Sequence, residues 1–124
     1  MQFHELVQPD IVFLLAESAG TPVGYVQLIM NSRDQAIPGN RPLEIRRIYA
    51  LQEHLGKGVG KELMDATIRE ARYRACDCIW LGGGEKNQRA IDFYKKWGFR
   101  QVGVQTFSLG TELQNDLIMV LKLT

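Results

Sequence analysis

Leu43-Glu44-Ile45-Arg46-Arg47-Ile48-Tyr49-Ala50-Leu51-Gln52-Glu53-His54-Leu55-Gly56-Lys57-Gly58-Val59-Gly60-Lys61-Glu62-Leu63-Met64 decides the fold, because its hydrophobic period changes halfway along. Leu43 to Leu51 alternates in part, with Leu43, Ile45 and Arg47 on one face, then runs apolar at Ile48-Tyr49-Ala50, which predicts a strand. From Gly58 to Ala75 the period becomes about 3.6, with Val59, Leu63, Thr67, Ile68, Ala71 and Ala75 on one stripe. Asp65–Arg69 and Glu70–Arg74 add i,i+4 pairs to this amphipathic helix. The glycines Gly56, Gly58 and Gly60 stand between strand and helix.

Upstream, Ile11 to Glu17 and Val23 to Met30 read as strands joined by the turn residues Ser18 to Pro22, and residues 31–42 read as a loop. Downstream, Cys78 to Leu81 predicts a strand ended by Gly82-Gly83-Gly84. A second helix is expected from about Asn87 to Trp97, with Asn87 as N-cap and Gly98 at the left-handed C′ position. Arg100 to Leu109 and Asp116 to Lys122 read as strands joined by a loop over Gly110 to Asn115. The predicted order is β-β-β-α-β-α-β-β in one domain spanning residues 1–124. The strand–helix–strand unit favours a parallel crossover and the flanking hairpins are antiparallel, so the expected fold is α/β, a mixed sheet with helices on its faces.

Composition fits this reading. The 124 residues are 45% hydrophobic and 23% charged, enough to bury a core without staples. A net charge of +1 gives no global field toward nucleic acid or an acidic membrane. Neither an apolar run of about 20 residues nor a basic-then-apolar amino terminus is present, so the expectation is a cytoplasmic protein. Cys76 and Cys78 would point to opposite faces of an extended segment, which disfavours a bridge, and His4 and His54 do not complete a zinc pattern.

The glycine turn has a specific chemical capacity. A helix's first turn leaves N–H groups without intrahelical acceptors and carries partial positive charge, and glycine lets an anion approach the backbone closely. A P-loop is absent, as is the acidic ribose partner of a dinucleotide fold. On its own, the turn is equally a glycine-rich helix start.

Its context is more specific. Leu43 to Ala50 followed by Leu55 to Met64 resembles motif A of the GNAT superfamily of acyl-CoA N-acyltransferases, and Asn87-Gln88-Arg89-Ala90-Ile91-Asp92-Phe93-Tyr94-Lys95-Lys96-Trp97-Gly98-Phe99 resembles its motif B. The tail from Phe107 to Gly110 and from Gln114 to Met119 is similar to the bacterial spermidine/spermine acetyltransferase branch. The resemblance implies a GNAT-like, mostly antiparallel sheet and acetyl-CoA as cofactor. It implies that Leu55, Gly56, Lys57, Gly58, Val59, Gly60 and Lys61 hold the pyrophosphate, and that the backbone of Ile48, Tyr49 and Ala50 pairs with the pantetheine arm. The family's splayed strands, after Ala50 and around Leu81, would open the slot for that arm. The family has Gln or Arg where this chain has Leu55, so one side-chain contribution to the loop is missing.

By the same resemblance, Tyr94 protonates the departing thiolate, Asn87 contacts the cofactor, and Glu44 is the general-base candidate, acting through water. From spacing alone, Tyr94 is equally a core aromatic, Asn87 a simple N-cap and Glu44 a solvated carboxylate. The implied reaction acetylates the primary amine of a small molecule, a polyamine being suggested by Glu44, Glu112 and Asp116. A non-catalytic CoA-binding module and a peptide or protein acetyltransferase are the alternatives. The family pattern places a strand and two helices ahead of the first hairpin, where this sequence has only residues 1–10. Their absence would expose an edge strand and a sheet face, so a homodimer is expected.

Overall fold

The computed structural model describes residues 1–34, 36–51, 58–84 and 87–123. Among these residues seven strands form one sheet: β1 (Gln2–Gln8), β2 (Ile11–Ser18), β3 (Thr21–Met30), β4 (Pro42–Ala50), β5 (Cys78–Gly84), β6 (Arg100–Leu109) and β7 (Glu112–Lys122). Two helices accompany them, α1 (Val59–Tyr73) and α2 (Gln88–Lys96). The spatial order is β1-β2-β3-β4-β5-β7-β6, and only β4 and β5 run parallel, as the helical crossover between them requires. The mixed, mostly antiparallel architecture is the expected one.

The amino terminus departs from expectation. Residues 2–8 form β1, paired antiparallel with β2 from Gln2 opposite Glu17 to Gln8 opposite Ile11. A two-residue turn at Pro9-Asp10, with Asp10 at φ 65°, stands where the family pattern has two helices. β1 escapes a pattern reading because it is an edge strand with most side chains in water. Its order comes from backbone hydrogen bonds to β2 rather than from a buried face. The β2–β3 turn is tight, with Ala19 at φ 52° and Gly20 at φ 81°, the sign that two-residue hairpins require. β5 continues through its glycines because Gly82, Gly83 and Gly84 pair with Ile118, Leu117 and Asp116 of β7. β7 likewise begins at Glu112, shortening the predicted loop to a turn at Gly110-Thr111.

Both helices pack on one face of the sheet. Val59, Leu63, Met64 and Ala71 of α1 and Ile91 of α2 share a core with Val12, Leu14, Val26, Leu28, Leu43, Ile45 and Ile79. Each such large side chain contributes about 1.5–3 kcal/mol on burial. Thr67, fully buried in α1, returns its hydroxyl to the Leu63 carbonyl at 2.8 Å, so no polar group is orphaned there. On the other face a smaller core of Cys78, Trp80, Ile118 and Val120 is covered by Ile37 from the β3–β4 loop. Cys76 belongs to the first core and Cys78 to the second, and both are free thiols.

Asp77 fastens that loop. Its carboxylate accepts N–H groups from Asn40 at 2.7 Å and Arg41 at 3.1 Å, while the Arg41 guanidinium donates to the carbonyls of Ala75 and Arg74 beyond α1. Partial burial pushes the Asp77 carboxyl up, but the N–H donors of Asn40 and Arg41 outweigh it and hold it below its ordinary value. Burial, and then the Asp77 charge, push the neighbouring Cys78 thiol up to about 11.

Candidate functional site

The site begins where β4 and β5 stop pairing. Their ladder runs only from Pro42–Cys78 to Glu44–Trp80. From Ile45 on, the edge of β4 facing β5 has no strand partner, so the splay opens ahead of Ile48 rather than after Ala50 as the resemblance implied. A register shift at Gln27/Leu28 explains the early departure. Leu28 pairs with Ile45 and Gln27 with Arg47, so Arg46 is one residue too many and β4 bulges. Ile45 and Ile48 keep the helix face, while Arg47, opposite Gln27, and Tyr49, opposite Tyr25, turn to the other. Arg47 therefore leaves the face of Leu43 and Ile45, where simple alternation put it.

The gap is a cleft through the sheet. On the helix face it has a volume of about 530 Å³ between β4, the start of α1 and α2, lined by Ala50, Gly58, Gly60, Lys61, Arg89 and Phe93 among others. Between the strands it continues as a space of about 350 Å³ lined by Tyr25, Arg46, Arg47, Leu81, Gly82 and Met119. Ile48, Tyr49, Asn87, Ala90 and Tyr94 line both parts. All the charged residues described along the cleft are cations: Lys61 and Arg89 at one end, Arg46 and Arg47 at the other.

At the helix end, Gly58 is the N-cap of α1, with φ 84° and no side-chain cap. The first intrahelical bond is Glu62 N–H to the Gly58 carbonyl at 3.0 Å, which leaves the amides of Val59, Gly60 and Lys61 without intrahelical acceptors. These donors, the helix dipole and Lys61 suit an anion. Of the predicted pyrophosphate residues, Gly58, Gly60 and Lys61 line the cleft and Val59 is buried in the core. Leu55, Gly56 and Lys57 lie outside the described residues.

Tyr94 stands where the two parts of the cleft meet. It projects from α2, whose N-cap Asn87 accepts the Ala90 N–H at 3.2 Å and also lines the cleft, so capping and a place in the site hold together. Phe93 and Phe99 flank the phenol edge-on at 5.5 and 5.6 Å between ring centroids. Burial pushes the Tyr94 phenol above its ordinary value, so at neutral pH it is a protonated donor.

Glu44 is placed differently. It is buried on the face away from the helices, opposite Trp80 in register, and is not among the cleft-lining residues. Its oxygens accept Ser32 Oγ at 2.5 Å and Arg46 Nε and Nη2 at 3.0 Å each. The Ser32 carbonyl accepts Trp80 Nε1 at 2.8 Å. Leu81 lines the cleft near where the resemblance put the splay, whereas Arg46, Arg47, Arg89, Gly82 and Gly83 were not among the predicted site residues. The paired arginines interrupting an alternating strand were the available sign of the bulge.

Residues 2–99 match the acetyltransferase (GNAT) family. The chain belongs to the GNAT family. An uncharacterized N-acetyltransferase of Mycobacterium tuberculosis is 36% identical over 118 residues, covering 95% of this chain and 71% of that protein. Among solved structures, a GNAT acetyltransferase from Elizabethkingia anophelis with acetyl-CoA bound superposes with a TM-score of 0.75 at 16% identity, covering 93% of this chain and 78% of that one. A nourseothricin acetyltransferase does so with a TM-score of 0.76 at 27% identity, covering 94% and 67%. Acetyl-CoA is the cosubstrate of this family. Among the described residues no helix is long and apolar enough to cross a membrane, and no cluster of three or more His, Cys, Asp or Glu is suited to a metal ion.

Proposed function

We propose that this GNAT domain transfers acetyl from acetyl-CoA to the primary amine of a small molecule across the cleft between β4 and β5. The observation that carries the reading is Tyr94 at the junction of a cleft whose one end is a helix N-terminus with unsatisfied amides. The α1 amides, Lys61 and Arg89 bind the cofactor phosphates, and Ile48, Tyr49 and Ala50 offer backbone groups to the pantetheine arm as an added strand would. The amine nitrogen, having lost its ammonium proton to water, attacks the thioester carbon from the side opposite the helices. The C–N bond forms, the C–S bond breaks, and Tyr94 gives its proton to the leaving sulfur. The second nitrogen proton leaves to solvent, which also reprotonates Tyr94. In this reading Glu44, held by Arg46 and Ser32, positions Arg46 in place of serving as the base. A polyamine acceptor rests on Asp116 alone, because Glu44 is occupied and Glu112 sits at the β6–β7 turn.

The homodimer belongs to the same proposal. Leu6 is 65% exposed on β1 and continues onto half-buried Phe13 and Leu15 of β2, a patch that a second copy would cover. A single monomeric species by light scattering across micromolar concentrations would refute that part. For the reaction, acetyl-CoA is titrated by calorimetry and thiol release is then followed with an amine panel. Binding with turnover is expected, and Tyr94→Phe should lower kcat by about 10²- to 10⁴-fold at unchanged acetyl-CoA affinity. Unchanged kcat removes Tyr94 from the donor role, and no binding of acetyl-CoA removes the whole reading.

A further inference from the structure

The end of the cleft away from the helices carries a charge pattern that acetyl transfer alone does not need. The β4 bulge sets Arg46 and Arg47 next to each other at the rim, beside the rings of Tyr25 and Tyr49, 5.9 Å apart. Arg46 is neutralised by Glu44 in a two-point pair at 3.0 Å, and Ser32 holds that carboxylate from behind. Arg47 is exposed and, among the described residues, no carboxylate pairs with it. The β5 side carries the opposite sign just behind the cleft wall, on a residue that does not itself line the cleft. Asp116 of β7 brings Oδ2 to 3.9 Å from the position a Cβ on Gly82 would take. Its carboxylate accepts, among the described residues, only a long 3.4 Å side-chain contact from Gln114.

From Arg47 at the rim and Asp116 beside Gly82 we infer that the acceptor is a zwitterion, an amine that also bears a carboxylate, as a free amino acid or diamino acid does. The inference rests on the transfer reading above and names the substrate class of that same cleft. Arg47 takes the acceptor's carboxylate through its planar two-point fork, which an ammonium group cannot use. Arg46, already paired, keeps Glu44 from repelling that carboxylate. Asp116, beside Gly82, attracts the ammonium end to the β5 side, where Leu81 and Gly82 border the gap near Tyr94. A purely cationic polyamine would set its second charge against Arg47, and a simple alkylamine would leave Arg47 unused.

The test compares amines that differ only by the carboxylate, lysine against cadaverine and ornithine against putrescine, on the full chain. Thiol release gives kcat/KM, and calorimetry on the protein saturated with CoA gives binding without turnover. The carboxylate-bearing member of each pair should be preferred by about 10- to 100-fold, the worth of one charge-assisted two-point contact. Arg47→Gln should bring the ratio to within about twofold of one, and Arg47→Glu should invert it. Arg47 is exposed, so both variants should melt with the parent, and their melting temperatures are measured alongside. Equal or better binding of the decarboxylated partner, or a preference that survives Arg47→Gln, overturns the inference. If no amine is turned over, the transfer reading fails by itself and the calorimetric ranking still decides the substrate class.

Discussion

Gly60→Ala separates cofactor binding from folding, because the structure gives the two effects opposite signs. Gly60 is the second residue of α1, and a Cβ built there would meet only Cε1 and Cζ of the Phe93 ring at 3.6 Å, an ordinary contact. Alanine exceeds glycine by about 0.8–1 kcal/mol inside a helix. Taking about half of that in a first turn gives ~0.5 kcal/mol, or about +2 °C in Tm for a domain of this size. The same methyl group stands on the wall of the helix-end cleft, beside Gly58 and Lys61. It would hold a phosphate oxygen off the backbone and cost one hydrogen bond to a charged group, about 1.5–3 kcal/mol, a 10- to 100-fold loss in acetyl-CoA affinity. Thermal melting without ligand and calorimetric titration with acetyl-CoA read the two effects separately. Affinity within twofold of the parent would mean that phosphate does not sit on this helix start. A lower ligand-free Tm would mean that the helix packing is misjudged.

Three further outcomes follow from the geometry. Gly24→Ala should destabilise by about 2–3 kcal/mol, since its Cβ would fall 2.6 Å from the Tyr49 carbonyl oxygen and 3.1 Å from Leu63 and Val59; urea unfolding at parental stability would refute the β3–β4–α1 packing. Glu44→Gln should lower activity several-fold through a loosened Arg46 while leaving the shape of the pH–rate profile intact; loss of the acidic limb would instead make Glu44 the base. Asp77→Ala should cost about 1–3 kcal/mol at pH 7, two backbone bonds to a charged group discounted for its partial exposure. The folded carboxyl titrates below its unfolded value, so its contribution is complete above about pH 4 and is lost as pH falls through the folded value. The gap between parent and variant should therefore close in acid, and a gap that widens below pH 4 reverses the sign of the reasoning.

The sequence carried the elements with a strong buried face. Both helices were legible, one from its stripe and the other from its caps, with Asn87 accepting the Ala90 N–H and Gly98 at φ 100°. β2 and β3 showed because alternate residues sink into a core beneath α1. β1 lacked that signal, since an edge strand with solvated side chains has its partner's backbone as its main determinant. The glycine run of β5 misled for a related reason. Composition argued for a turn, yet pairing with residues 116–118 of β7 holds Gly82, Gly83 and Gly84 extended.

The site divides along the same line. Gly58, Gly60, Asn87 and Tyr94 line the cleft; the local pattern showed a glycine-rich helix start and an N-cap, and the resemblance to motifs A and B, not spacing, marked these residues out. The far end of the cleft was not marked out, because a bulge is a mismatch between two strands. Arg46 and Arg47 look like ordinary alternation until β3 supplies Gln27 and Leu28 as partners and leaves one residue over. That single extra residue ends the β4–β5 ladder early, opens the cleft, and turns Arg47 from the buried face to the rim. The feature that opens the cleft thus also sets the charge at its far mouth, so a variant that removed the bulge would narrow the cleft and withdraw Arg47 from its rim together.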